Sequence, residues 1–208
     1  MKLNNRLSNL TTYPFHMPGH KRNMSLGIKS ADIDITEIDG FDNLHNPKEV
    51  LKELEDEITS LFGSRRSMIS VNGSTCCILA AISAVCNYGD EIIIARNCHK
   101  SVYNACLINR LKVNYIEPEF DESIGVYIHI TQSTVDEAIC KHPAAKAIVI
   151  TSPTYEGITS EIHTNIPLII DSAHGSHFGF ADYLPTRAKG DIVIQSFHKT
   201  LPCLTQCA

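Results

Sequence analysis

The sequence has no apolar run approaching the roughly 18 residues that a membrane-spanning helix needs. Its opening, MKLNNRLSNLTTYPFHMPGHKR, lacks the continuous apolar segment of a secretory signal. Both absences point to a cytoplasmic protein. There is no block of like charge and no basic stripe interleaved with aromatic residues, and the formal net charge is -5. Neither nucleic acid nor a membrane surface is therefore an expected partner. Although the chain has eight cysteines, no two stand in a CxxC spacing, so no zinc site is expected and they read as reduced thiols rather than a disulfide framework. His16 and His20 have the i, i+4 spacing of a helical metal pair, but Pro18 and Gly19 between them break such a helix and leave a loop. Neither the GK[ST] ending of a phosphate-binding loop nor a G-x-G-x-x-G fingerprint occurs.

What is present is an ordinary globular composition: 208 residues, 43% hydrophobic and 20% charged, enough for one large domain. Residues 1–45, rich in Asn, Pro, Gly and Asp, read as an irregular N-terminal arm before an α/β body over 46–208. The body opens with a helix in NPKEVLKELEDEITSLFG. Asn46 is the expected N-cap, Pro47 the first-turn proline and Glu49 the capping-box acid, with Val50, Leu51, Leu54, Ile58, Leu61 and Phe62 at helical spacing up to Gly63. Beyond it, short apolar strands alternate with helices: strand 67–71, helix 74–87, strand 91–95, helix 101–110, strand 112–117, a capped helix 133–141, then strands 147–151, 167–171 and 191–196. That alternation predicts an α/β fold with a mostly parallel sheet covered by helices on both faces.

In such sheets ligands bind outside the carboxyl ends of the strands, and polar residues collect there. NGST follows the first expected strand, RNCHKS the second, TSPTYEG stands at the strand end at 151, DSAHGSH runs from 171 and SFHK ends the last. Gly73, Ser74 and Thr75 stand where a strand turns into a helix, so free N–H groups, the positive helix end and two hydroxyls can meet a phosphate or simply cap the helix. Asp171 ends a run of apolar residues, where an ionised carboxylate is costly without a cationic partner such as a protonated heterocyclic nitrogen; capping of the next loop is the alternative. His99 suits either a surface position or a ring held against a planar cofactor. Lys199 follows the last strand. A lysine amine is protonated at neutral pH, a handicap of roughly 4 to 5 kcal/mol for a nucleophile, which a Schiff base with an aldehyde cofactor removes.

The stretches PFHMPGHKR, VNGSTCCILAAI, ARNCHKSVYNA, ITSPTYEG, DSAHGSHFGF and QSFHKTLPCLTQ together resemble the bacterial Orn/Lys/Arg decarboxylase family of fold type I pyridoxal-phosphate enzymes, from about Tyr13 to Ala208. The resemblance implies the large domain of the aspartate aminotransferase-like fold and pyridoxal 5'-phosphate as cofactor. Lys199 would be the Schiff-base lysine, with Ser196 and His198 holding the cofactor phosphate together with Ser74 and Thr75. Asp171 would pair with the pyridine nitrogen, His99 would stack on the ring and His174 would lie close to the cofactor. The implied reaction is loss of the α-carboxylate of arginine, lysine or ornithine as CO₂, giving agmatine, cadaverine or putrescine, with a lean to arginine because the short bacterial forms are the ones resembled. It also implies a homodimer or higher homo-oligomer in the full-length form. An aminotransferase or lyase on the same fold, or an inactive fragment acting through a partner, are the competing readings.

The sequence departs from the family at three places. The connection 152–166 is short for a crossover and leaves room for little or no helix, so a bare patch of sheet is expected there. Position 172 is Ser where the family commonly has Glu. The sequence ends nine residues beyond Lys199, whereas the family continues for well over a hundred residues. The expectation is a truncated chain with little or no decarboxylase turnover by itself.

Overall fold

The computed structural model describes residues 2–208, which divide into two compact units, Met1–Ile69 and Ser70–Ala208. The boundary expected at residue 45 lies inside the first unit. That unit contains helix α1 (Lys2–Ser8), a 3-10 turn (Met24–Leu26) and helix α2 (Val50–Phe62). The arm is thus not wholly irregular. Helix α2 starts three residues later than Asn46 as N-cap predicts, and Glu49 at its N-cap makes no side-chain cap bond. The capping group is Asp42, whose carboxylate accepts from the backbone N–H groups of Lys48, Glu49 and Leu51 at 2.9, 2.7 and 3.3 Å. A carboxylate carries two acceptor oxygens and a charge that suits the positive helix end, so it displaces the neutral Asn46 amide from that role. Gly63, in the left-handed region at φ 65, ends the helix by donating back to Ser60 and Thr59.

Residues 67–71 are not a strand. Ser67 N–H donates to Thr59 Oγ1 at 2.8 Å and Ile69 N–H to Glu55 Oε1 at 3.4 Å. Ser70 exchanges two backbone hydrogen bonds with Ala208. Donors committed to side chains of α2 cannot build a ladder, whatever the β-propensity of SMISV.

The second unit runs α3 (Gly73–Val85), β1 (Glu91–Ala95), α4 (Lys100–Ile108), β2 (Lys112–Ile116), a small antiparallel pair β3 (Phe120–Asp121) and β4 (Val126–Tyr127), α5 (Gln132–Lys141), β5 (Ala145–Thr151), β6 (Leu168–Asp171), β7 (Ile192–Ile194) and α6 (Phe197–Thr200). The five long-range strands form one sheet in the order β2-β1-β5-β6-β7, every pairing parallel. Alternate side chains go to opposite faces, and both faces are buried. Ile92, Ile94, Ala147, Val149 and Ile169 join α3 and α4 on one face; Ile93, Ile148, Ile150, Leu168 and Ile170 join α5 on the other.

The connection after β5 has no helix, in line with its length, yet β5 and β6 are covered beside it: Ile148, Ile150 and Ile170 are at most 2% exposed. The loop itself covers them. Ile162 packs into that core, Ser152 Oγ bonds the backbone of Ser160, and Gln132 of α5 holds His163 through a reciprocal pair of side-chain to backbone bonds at 2.7 and 2.9 Å. A loop can cover a sheet if its polar backbone finds partners, and here side chains provide them.

Gly175 sits where a Cβ would meet Ser172 Oγ at 2.5 Å and the Pro153 ring at 2.7 Å. Gly175→Ala should therefore cost about 1–3 kcal/mol of stability through overpacking, visible as a melting temperature lowered by roughly 3–10 °C; an unchanged melting curve would contradict the packing. In the first unit, desolvation pushes the Asp42 carboxyl up, but backbone N–H groups of Glu49, Asn43 and Lys48 outweigh it and hold it at about 2. The ionised form is the folded one, so its contribution is complete above the ordinary carboxylate range and fades as pH falls toward 2. Asp42→Asn should flatten the loss of α2 helicity that circular dichroism records in that acidic window.

Candidate active site

The tips of β1, β5, β6 and β7 each deliver polar groups to the same edge, because parallel strands share one direction and their carboxyl ends lie together. Strand order reverses between β1 and β5, and a cavity of about 410 Å³ opens beside those tips. All the residues singled out from the sequence line it: Ser74 and Thr75 from α3, His99 after β1, Asp171 at the end of β6, His174 in the next loop, and Ser196, His198 and Lys199 after β7.

Helix α3 is well formed, and Asn72 at its N-cap makes no side-chain cap bond. Its first-turn N–H groups have no partner within the helix and, with the Ser74 and Thr75 hydroxyls, form an anion-binding end. Gly73, at φ 69, enters the helix with its own N–H bonded to Gln206 O at 2.9 Å, which ties the helix start to the segment beyond Lys199. On the opposite side of this end, Ser196 is fully buried and its Oγ lies 3.4 Å from His198 Nδ1. His198 Nδ1 is also 3.2 Å from Cys207 O; a carbonyl only accepts, so Nδ1 carries the hydrogen.

Asp171 is 4% exposed. Burial raises its carboxyl above the ordinary range, against the hydrogen bond from Ala173 N–H at 3.1 Å and the charge of nearby Lys199. A carboxylate in this condition favours a cationic partner entering the cavity. Lys199 Nζ lies 3.2 Å from His174 Nε2. Burial, reinforced by the Lys199 charge, lowers the affinity of His174 for a proton, so its Nε2 is the acceptor and the lysine ammonium the donor. Tyr155 stands edge-on to the His174 ring, centroids 5.4 Å apart. His99 caps α4 by accepting from Ser101 N–H, and its Nδ1 lies 2.8 Å from Ser101 Oγ, which sets the ring plane.

The cavity is also lined by groups that the motifs did not mark, among them Asn97, Thr151, Tyr155 and Gln206. Two of them present buried polar atoms without a partner, Asn97 Oδ1 and Thr151 Oγ1. Their positions just after β1 and at the end of β5 are the strand-tip positions that identified Asp171, and the same rule applied to every tip would have found them. Ser172, in the place where Glu is common, is fully buried with its Oγ unpartnered. The site thus offers an anion cradle, a carboxylate in want of a cation, an amine for a carbonyl carbon and orphan hydrogen-bonding atoms. Among the described residues no group of three or more His, Cys, Asp or Glu is placed to hold a metal ion, and no helix is long and apolar enough to cross a membrane.

Comparison with known proteins places this geometry in context. The constitutive lysine decarboxylase of E. coli superposes over 99% of this chain and 34% of its own with a TM-score of 0.74, at 21% identity. An arginine decarboxylase of Bacillus subtilis (strain 168) is 34% identical over 92% of this chain and 43% of its own length. The uncharacterised protein YaaO of the same organism is 39% identical over 93% of this chain and 44% of its own. The chain spans less than half the length of these curated relatives. Residues 5–208 match the Orn/Lys/Arg decarboxylase major domain, and the chain belongs to that family.

Proposed function

We propose that this chain forms the cofactor-binding site of a pyridoxal-phosphate-dependent decarboxylase of a basic amino acid. The observation that carries the reading is the convergence of Lys199, its acceptor His174 and the buried carboxylate Asp171 on one cavity with the α3 N-terminus. The residues fit the cofactor group by group: the helix end with Ser74, Thr75, Ser196 and His198 suits the phosphate, Asp171 a protonated ring nitrogen, His99 a ring face and Lys199 the aldehyde. The orphan atoms of Asn97 and Thr151 leave hydrogen-bonding capacity for a polar ligand.

When bound, pyridoxal phosphate supplies a carbonyl that condenses with amines and a cationic ring that accepts the electron pair left by departing CO₂. The chain's own part is preparation. His174 Nε2 accepts a hydrogen bond from Lys199 Nζ across 3.2 Å, which fixes the position of the amine in the cavity. Asp171, kept dry, stabilises positive charge at the ring nitrogen far better than it would in water. His99, oriented by Ser101, closes one side of the cavity against movement of a flat ring. Arginine is the favoured substrate, because curated relatives at 33% and 34% identity are arginine decarboxylases; the product would be agmatine. The resemblance also supports a homo-oligomeric full-length form.

Borohydride treatment of the chain with pyridoxal phosphate should leave a pyridoxyl group on the peptide that contains Lys199, and none in Lys199→Ala; labelling elsewhere would end the reading. In the full-length protein, CO₂ release from arginine without formation of a 2-oxo acid separates a decarboxylase from an aminotransferase. Asp171→Asn tests the electrostatics through opposite effects. Burial raises the Asp171 carboxyl, so the cofactor-free fold binds its proton more tightly than the unfolded chain and loses stability as pH rises past the ordinary carboxylate value. The variant should melt higher than wild type at pH 7, with the gap closing toward pH 4, yet bind pyridoxal phosphate on the order of 10- to 100-fold more weakly.

A further inference from the structure

We propose that Thr151 positions the cofactor, its hydroxyl donating a hydrogen bond to the phenolic oxygen of the pyridoxal ring whose nitrogen faces Asp171. The inference rests on the pyridoxal phosphate reading above. Thr151 closes β5 and is the register partner of Asp171 on β6, so the two side chains leave the sheet on the same side at neighbouring strand tips. Both line the cavity. Thr151 Oγ1 is buried and has no hydrogen-bond partner, a condition that native hydroxyls seldom tolerate. Its neighbours are committed elsewhere: Ser152 Oγ to the backbone of Ser160, Asp171 Oδ1 to Ala173 N–H.

The layout of the ring selects Thr151. The phosphate arm and the phenolic oxygen lie on opposite sides of the line from the ring nitrogen to the carbon that bears the aldehyde. Ser196 and His198 of the phosphate cradle follow β7, and β7 and β5 are the two neighbours of β6. With the nitrogen at Asp171 and the phosphate toward β7, the phenolic oxygen falls on the β5 side. Thr151 ends β5, the strand on that side of Asp171, and its hydroxyl belongs to the cavity lining. Asn97 comes from the tip of β1, one strand further from Asp171 than Thr151. A donor at the phenolic oxygen favours its ionised form and makes it a weaker partner for a proton on the nitrogen that would join the aldehyde carbon to Lys199.

Thr151→Val keeps the branched shape and removes the hydroxyl. Without cofactor the variant should melt no lower than wild type, since an unpartnered buried hydroxyl is lost. With pyridoxal phosphate, calorimetry should give a dissociation constant about tenfold higher, and the pH midpoint of the bound cofactor's long-wavelength absorbance should move upward. Thr151→Ser should keep both near the wild-type values. A lower cofactor-free melting temperature with an unmoved midpoint would mark Thr151 as structural and overturn the proposal, as would unchanged affinity and midpoint in Thr151→Val; either leaves the Lys199 reading standing. A wild-type chain that does not bind pyridoxal phosphate overturns both.

Discussion

Burial of the central strands on both faces is the constraint from which the rest of the second unit follows. Ile92 to Ile94, Ala147 to Ile150 and Ile169 are fully screened from water, so their backbone groups must pair within the sheet and their side chains must pack on helices or loops above and below. Parallel pairing is the arrangement that short strands alternating with helices allow. Parallel pairing in turn brings every carboxyl end to one edge. The polar residues that follow each apolar run then have nowhere else to gather, and the cavity is the outcome of that geometry rather than a separate feature.

Electrostatics gives the edge its character. Asp171 is the last residue of a fully buried strand, and the same packing that orders the strand denies its carboxylate water. The positive charge of Lys199 compensates only in part. A site held in this condition is poised for a ligand that carries positive charge to the carboxylate and negative charge to the helix end. The orphan hydroxyl of Thr151 and carbonyl of Asn97 express the same incompleteness in hydrogen bonds. Functional sites commonly keep such unsatisfied groups at a cost in stability that the surrounding core covers.

Much of this was legible before any coordinates. The periodicities of EIIIA, AIVIT, PLIID and DIVIQS place the strands, and the polar clusters at their ends place His99, Asp171, His174, Ser196, His198 and Lys199 on one edge, where they lie with Ser74 and Thr75 of α3. The failures share a cause. SMISV has the composition of a strand, but its donors are taken by Thr59 and Glu55. Asn46 has the composition of a cap, but Asp42 reaches the same N–H groups with a charge. The connection after β5 is too short for a helix, but Ile162 and the Gln132–His163 pair cover the sheet in its place. In each case a residue distant in sequence outbid a local preference.

By itself the sequence determined the class of fold, the family and the identity of the reactive groups, because these depend on pattern and residue type over short windows. Only the tertiary structure decided which nitrogen of His174 meets Lys199, which side chain caps α2, and that Thr151 Oγ1 and Asn97 Oδ1 are left without partners. Those outcomes depend on distances between segments many residues apart, and such distances are fixed by packing and by competition for hydrogen bonds across the whole unit, which no local window encodes.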